Sequence, residues 1–127
     1  MKTASGDVAK VAHAASSEWW NAVAAAGPSV WLVGEHGAVL TSADAGATWT
    51  TAAQAGAEDL YAADVLDTQR AAVAGRRGAV QVSLDGGATF LDVGLGTDRY
   101  VGAVFFLDPS TILVLGERGL AATRSIE

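Results

Sequence analysis

Two short strings concentrate the side chains that could do chemistry: Ser42, Asp44, Gly46, Thr48 and Trp49 in one, and Ser83, Asp85, Gly87, Thr89 and Phe90 in the other. Both read Ser-x-Asp-x-Gly-x-Thr followed by an aromatic residue. A carboxylate set between hydroxyls can close a turn by accepting backbone N–H groups, or it can begin a cation site. Calcium takes six or more oxygen ligands, and each string offers one carboxylate, so both are expected to be structural turns without a metal. In such a turn Gly46 supplies a positive φ, Thr48 favours the strand that follows, and the Trp49 ring can tuck beneath. His13 and His36 stand in no metal-ligand spacing. The chain has no cysteine, which excludes disulfides and thiolate sites. No glycine-rich phosphate loop opens a helix and no nucleophile motif is present, so no cofactor is expected.

The remaining candidates are cationic. Arg76-Arg77 is the one adjacent basic pair in a chain with 8 Lys and Arg against 14 Asp and Glu, a formal net charge of -6. Guanidinium groups on a rigid turn can grip carboxylates of a partner through paired hydrogen bonds. The acidic balance argues against a protein that tracks nucleic-acid phosphates. No window approaches the 18 or so consecutive apolar residues of a membrane-spanning helix. Residues 1–18 hold no continuous apolar region of the kind a secretory signal needs, and the compartment is not readable.

The elements that position these residues repeat. An apolar run, a Gly-x-x-Gly turn and a second apolar run occur at 30–42, 71–83 and 112–124, and the first turn glycines are spaced 75 − 34 = 41 and 116 − 75 = 41. A fixed period of this size means a repeat architecture. Four short strands per repeat are expected: 19–23, 30–33, 39–42 and 48–52 in the first; 60–65, 71–74, 80–83 and 89–93 in the second. The third repeat supplies 101–107, 112–115 and 120–124 but lacks its fourth strand. The second strands VWLV, AAVA and ILVL are apolar on both faces, so they are expected to be covered on both. Blades packed around an axis provide that cover. The expected fold is therefore an all-β propeller with three four-stranded blades, at 18–53, 59–93 and 100–124. Residues 8–12 alternate apolar and polar and read as a displaced outer strand. Three repeats of about 41 residues also describe a β-trefoil, which is the alternative fold.

The turn is similar to the Asp-box of bacterial neuraminidase repeats, and the string VWLVGEHGAVLTSADAGATW resembles a blade of the photosystem II stability and assembly factor family of β-propellers. The resemblance spans residues 18–124, and it implies a non-catalytic propeller that binds a protein client through a basic patch on one face. Members of that family carry about twice as many blades in one chain. Propellers close with four to eight blades, and an open arc leaves apolar faces and strand edges bare. The expectation is a C2 homodimer that completes six blades, with strand 8–12 exchanged to pair beside 120–124 of the other chain. The client face is expected to gather Glu35, His36, Arg76, Arg77, Glu117 and Arg118 with Glu58, Asp59, Asp98 and Arg99.

Two further readings remain open at the level of sequence. One is a self-assembling propeller fragment with no client. The other is a carbohydrate-binding or sialidase-like Asp-box protein. A lectin would use Trp19, Trp20 or Trp31 to stack on a sugar. A sialidase would draw on Arg70, Arg76, Arg77, Arg99, Arg118, Arg124, Tyr61, Tyr100 and Glu58, which the repeat scatters over turns and strand starts without a convergent pocket.

Overall fold

Turn chemistry and strand patterning divide residues 19–126, the part of the chain that the computed structural model describes, into three antiparallel meanders. The first runs β1 (Trp20–Ala26), β2 (Ser29–Gly34), β3 (Val39–Ser42) and β4 (Thr50–Thr51); the second runs β5 (Leu60–Val65), β6 (Ala71–Gly75), β7 (Val80–Ser83) and β8 (Leu91–Asp92). The third holds β9 (Val101–Asp108), β10 (Thr111–Gly116) and β11 (Ala121–Ser125), three strands among the described residues, the number expected of a repeat that lacks its own fourth strand. The displaced strand expected at residues 8–12 lies outside the described residues. The outermost strands are also shorter than expected. Backbone pairing nevertheless runs on past them, with Ala52 and Ala55 N–H donating to Val39 and Gly37 O and Val93 and Leu95 N–H donating to Val80 and Gly78 O, while Ala53 N–H crosses to Gly87 O in the turn that follows β7.

Each sheet is built in sequence order from its innermost strand outward, and no strand is shared between sheets. Three separate meanders in series do not make the closed barrel of a trefoil, so that alternative fails. Innermost strands neighbour one another, β1 beside β5 and β5 beside β9, while β2 lies over β5 and β6 over β9. This is sheet-on-sheet stacking around a common inner edge.

The glycines that set the 41-residue period owe their identity to a close approach. A Cβ on Gly34, Gly75 or Gly116 would collide with the carbonyl of Trp19, Asp59 or Tyr100, at the entry to that sheet's own innermost strand. The approach is closed by hydrogen bonds from Glu35, Arg76 and Glu117 N–H to those same carbonyls, at 3.1, 2.9 and 3.0 Å. Each turn thus clamps the entering strand, and only glycine leaves room for it.

Burial follows from the stacking. The central sheet is covered on both faces, so every residue of β6 is buried, as the double-apolar pattern of AAVA predicts. In β2 and β10 burial instead alternates, because each end sheet has a neighbour on one side only. The second cover expected for VWLV and ILVL is not supplied by the described residues. Two clusters fill the two junctions. Trp31, Val33 and Val39 meet Leu60, Val65, Ala71 and Val73 at the first, and Ala72, Ala74, Val80 and Val82 meet Val104, Ile112 and Val114 at the second.

Candidate functional site

The two Asp turns form as their residue types require, and they are complete within themselves. Ser42 Oγ accepts from Gly46 N–H at 2.8 Å and donates to Asp44 Oδ1 at 2.7 Å, while Asp44 accepts from Thr48 N–H at 2.8 Å and Thr48 Oγ1 at 2.6 Å. Trp49 Nε1 donates to Gly46 O at 3.0 Å, which seats the ring under the turn. The second copy repeats these bonds through Ser83, Asp85, Gly87 and Thr89. Hydrogen bonds from Thr48 hold the Asp44 carboxyl down at about 2, and those from Thr89 lower Asp85 in the same way. Phe90 serves the fold differently from Trp49: its ring meets Trp31 of the first sheet edge-on at 5.9 Å and so ties the turn across a junction. Among the described residues no cluster of His, Asp and Glu is arranged to hold a metal.

The basic candidates sit on the opposite device, the turns between second and third strands. These are single 3-10 turns at Glu35–Gly37, Arg76–Gly78 and Glu117–Gly119. In all three the tip residue is left-handed without being glycine: His36 at φ 57, Arg77 at φ 59 and Arg118 at φ 58. That conformation costs about 1 kcal/mol or more for a residue with a Cβ. It lifts the three tips, each carrying a basic side chain, on one end of the stack.

Around Arg76 and Arg77 the structure adds two tyrosines to part of the expected client face. Tyr61, Tyr100, Asp98 and Glu117 line one cleft with both arginines, and Tyr61 and Tyr100 stand edge-to-face at 5.9 Å. This corrects the expectation that these residue types would have no convergent pocket. Tyr100 precedes β9 and Tyr61 is the bulge residue of β5, and their rings meet at the junction that Arg76 overhangs. A second depression beside it is lined by Glu58, Arg77, Gln81 and Asp92. The sets are not joined into one patch. His36 N–H donates to Asp59 Oδ1 at 3.0 Å and Gln54 bonds to His36 O at 2.7 Å, which fixes the first tip with its neighbour Glu35 at its own junction. Glu117 Oε1 accepts from Tyr100 N–H at 3.3 Å. Arg99 and Arg118 are exposed and line neither cleft. Among the described residues the side-chain ion pair found is Arg70 with Asp67 at 3.7 Å, and Arg76, Arg77, Arg99 and Arg118 have no such partner.

For sugar stacking the tryptophans divide. Trp31 is buried in the first junction and Trp20 is half-buried, which leaves Trp19, 72% exposed, as the one available ring of the three.

No family model matches the chain, and no curated protein matches it in sequence. Among solved structures, one of YCF48 bound to D1 peptide superposes with a TM-score of 0.70 over 84% of this chain, at 13% identity. The fold is of the propeller type. The superposition takes in 36% of the YCF48 chain, so this sequence spans about a third of the length of that neighbour. No helix among the described residues is long and apolar enough to cross a membrane.

Proposed function

We propose that this chain is a non-catalytic propeller scaffold for protein binding. Its client surface is the tip face that carries Glu35, His36, Arg76, Arg77, Arg99 and Arg118, and two copies related by a two-fold axis close a six-blade ring from blades at 18–53, 59–93 and 100–124. The observation that carries the binding reading is the Arg76-Arg77 pair. Two guanidinium groups on a clamped turn, without an ion-pair partner among the described residues, are preorganised for carboxylates supplied from outside. The neighbouring Tyr61 and Tyr100 add rigid aromatic area of the sort that anchors peptide chains. YCF48, whose solved structure holds a D1 peptide, lends support by analogy of fold alone.

A hydrolytic reading gains the convergent cleft but lacks an activated nucleophile. A tyrosine nucleophile needs a base within hydrogen-bond reach, and neither Tyr61 nor Tyr100 has a side-chain hydrogen bond to a carboxylate among the described residues. The test is capture of acidic peptides from an array. The Arg76→Glu, Arg77→Glu double variant is expected to lose capture at least about tenfold, a coupling of the size that charge-assisted pairs carry, with no change in melting temperature. Undiminished capture by a folded double variant refutes the surface.

A further inference from the structure

Each innermost strand carries the same backbone irregularity near its start, and at two of the three the residue there reaches across to the next sheet. The β1–β2 register slips between Trp20 and Ala22, the β5–β6 register between Leu60 and Ala62, and the β9–β10 register between Val101 and Ala103. The bulged residues are therefore Asn21, Tyr61 and Gly102. Asn21 Nδ2 donates to Leu60 O at 2.9 Å in the second sheet. Tyr61 sets its ring against Tyr100 at the entry of the third. Gly102 has no side chain to offer to whatever follows the third sheet.

The receiving positions are equally matched by register. Trp19, Asp59 and Tyr100 are equivalent, because each gives its carbonyl to the clamp of its own turn. The bulge and receiver pair is thus Asn21 with the Leu60 carbonyl, one residue after Asp59, at the first junction and Tyr61 with Tyr100 at the second. What stays unpaired among the described residues is a bare bulge, Gly102, in the third sheet and the exposed Trp19 ring beside the first.

The flanking faces tell the same story. On the outward face of the third sheet Phe105, Leu107 and Leu115 are 48%, 57% and 39% exposed. Register places Leu115 at the position of Ala74, which is fully buried in the central sheet. On the outward face of the first sheet Val23 is 62% exposed, beside Leu32 at the position of the fully buried Val73. These two outward faces are the two halves of the same kind of junction that occurs twice inside the chain. One half carries the bulky side chains and the other the smaller ones.

We infer that Trp19 of one copy seats over Gly102 of a second copy, an aromatic knob in an empty bulge that sets the register of the ring-closing junction. The inference rests on the two-copy closure proposed above and goes beyond it by naming the lock. A two-fold ring contains the junction twice, so each substitution counts twice. A loss of about tenfold per junction, modest for a buried tryptophan, becomes about a hundredfold in the dimer dissociation constant. Gly102 tolerates substitution within its own chain: a Cβ there meets the Tyr100 ring at 3.5 Å, an ordinary contact, and its φ is not left-handed.

Sedimentation equilibrium of the full chain supplies the test. Wild type is expected at twice the chain mass, 2 × 12.8 = 25.6 kDa. Trp19→Ala and Gly102→Trp should each weaken dimerisation about a hundredfold, and the Trp19→Ala, Gly102→Phe double variant, which moves the ring to the other side, should regain most of it. A wild-type chain that stays at 12.8 kDa overturns the closure itself. A stable wild-type dimer that both single variants leave unweakened overturns the lock and spares the closure. Circular dichroism of each variant confirms that loss of mass is not loss of fold.

Discussion

The two Asp turns are nearly superposable in sequence, and the one difference in backbone demand makes a controlled experiment. Ala45 stands at φ 61, while the second turn has Gly86 there at φ 74; the next residue is a left-handed glycine in both, Gly46 and Gly87. A left-handed alanine costs about 1–2 kcal/mol relative to glycine in the folded state. Glycine gives back about 0.4–1 kcal/mol through the greater freedom of the unfolded chain. Ala45→Gly should therefore stabilise the protein by roughly 0.5–1 kcal/mol, which for a domain of this size is a rise of about 2–5 °C in melting temperature. The reverse change, Gly86→Ala, pays the same backbone cost and adds a contact, since its Cβ would lie 3.3 Å from Thr68 O. Its expected loss is about 1–2 kcal/mol. Urea unfolding at fixed protein concentration reads both, because any self-association adds to apparent stability. If Ala45→Gly destabilises the protein, the left-handed strain assigned to this turn is wrong.

Two further outcomes follow from the same turns and clamps. Asp44 has a folded value of about 2 against 3.8 for the ordinary side chain, and Asp85 is displaced in the same direction. A depressed carboxyl contributes stability above its unfolded value and loses it as pH falls toward the folded one. Urea midpoints should thus be level above about pH 5 and drop between about pH 4 and pH 2, and Asp44→Asn should flatten that acid limb. An unaltered limb in Asp44→Asn counts against the turn as its source. Gly75→Ala should cost about 2–3 kcal/mol, the range of a forced overlap in a packed site, because its Cβ meets the Asp59 carbonyl to which Arg76 N–H is bonded. A Gly75→Ala variant as stable as wild type, measured by thermal unfolding, removes the close-approach account of the period.

What was legible in the sequence is what local chemistry decides alone. The Ser-x-Asp-x-Gly-x-Thr string dictates its own hydrogen bonds whatever surrounds it, so Ser42 to Trp49 and Ser83 to Thr89 could be placed in advance. The Gly-x-x-Gly turns likewise announced a repeat, and the repeat announced sheets. What was not legible depends on which neighbour a face meets. VWLV, AAVA and ILVL look alike, yet the central one alone is covered on both sides, because burial there is a property of position in the stack. Phe90 reads as a substitute for Trp49, but its partner Trp31 comes from another sheet. The Tyr61 and Tyr100 cleft was missed because a bulge changes which way a side chain points, and nothing in a strand's alternation marks one.

The same contrast explains how this fold carries recognition. The three tip turns share one left-handed tip conformation, φ 57, 59 and 58 at His36, Arg77 and Arg118, and each turn is clamped by an equivalent carbonyl. Geometry is thus spent identically in every repeat, while the side chains on it differ: Glu35-His36, Arg76-Arg77, Glu117-Arg118. The acidic residue that precedes the tip in the first and third turns is an arginine in the second. Local charge neutralisation is therefore withdrawn at one turn of three, above the one junction where two tyrosines meet. A carboxylate arriving from outside finds two guanidinium groups there without an ion-pair partner among the described residues, in a cleft that Asp98 and Glu117 also line, on a turn already clamped to its sheet. Arg76→Glu alone converts the second turn into the pattern of its neighbours without disturbing the clamp, so it should abolish the difference between the turns while the melting temperature stays where it was.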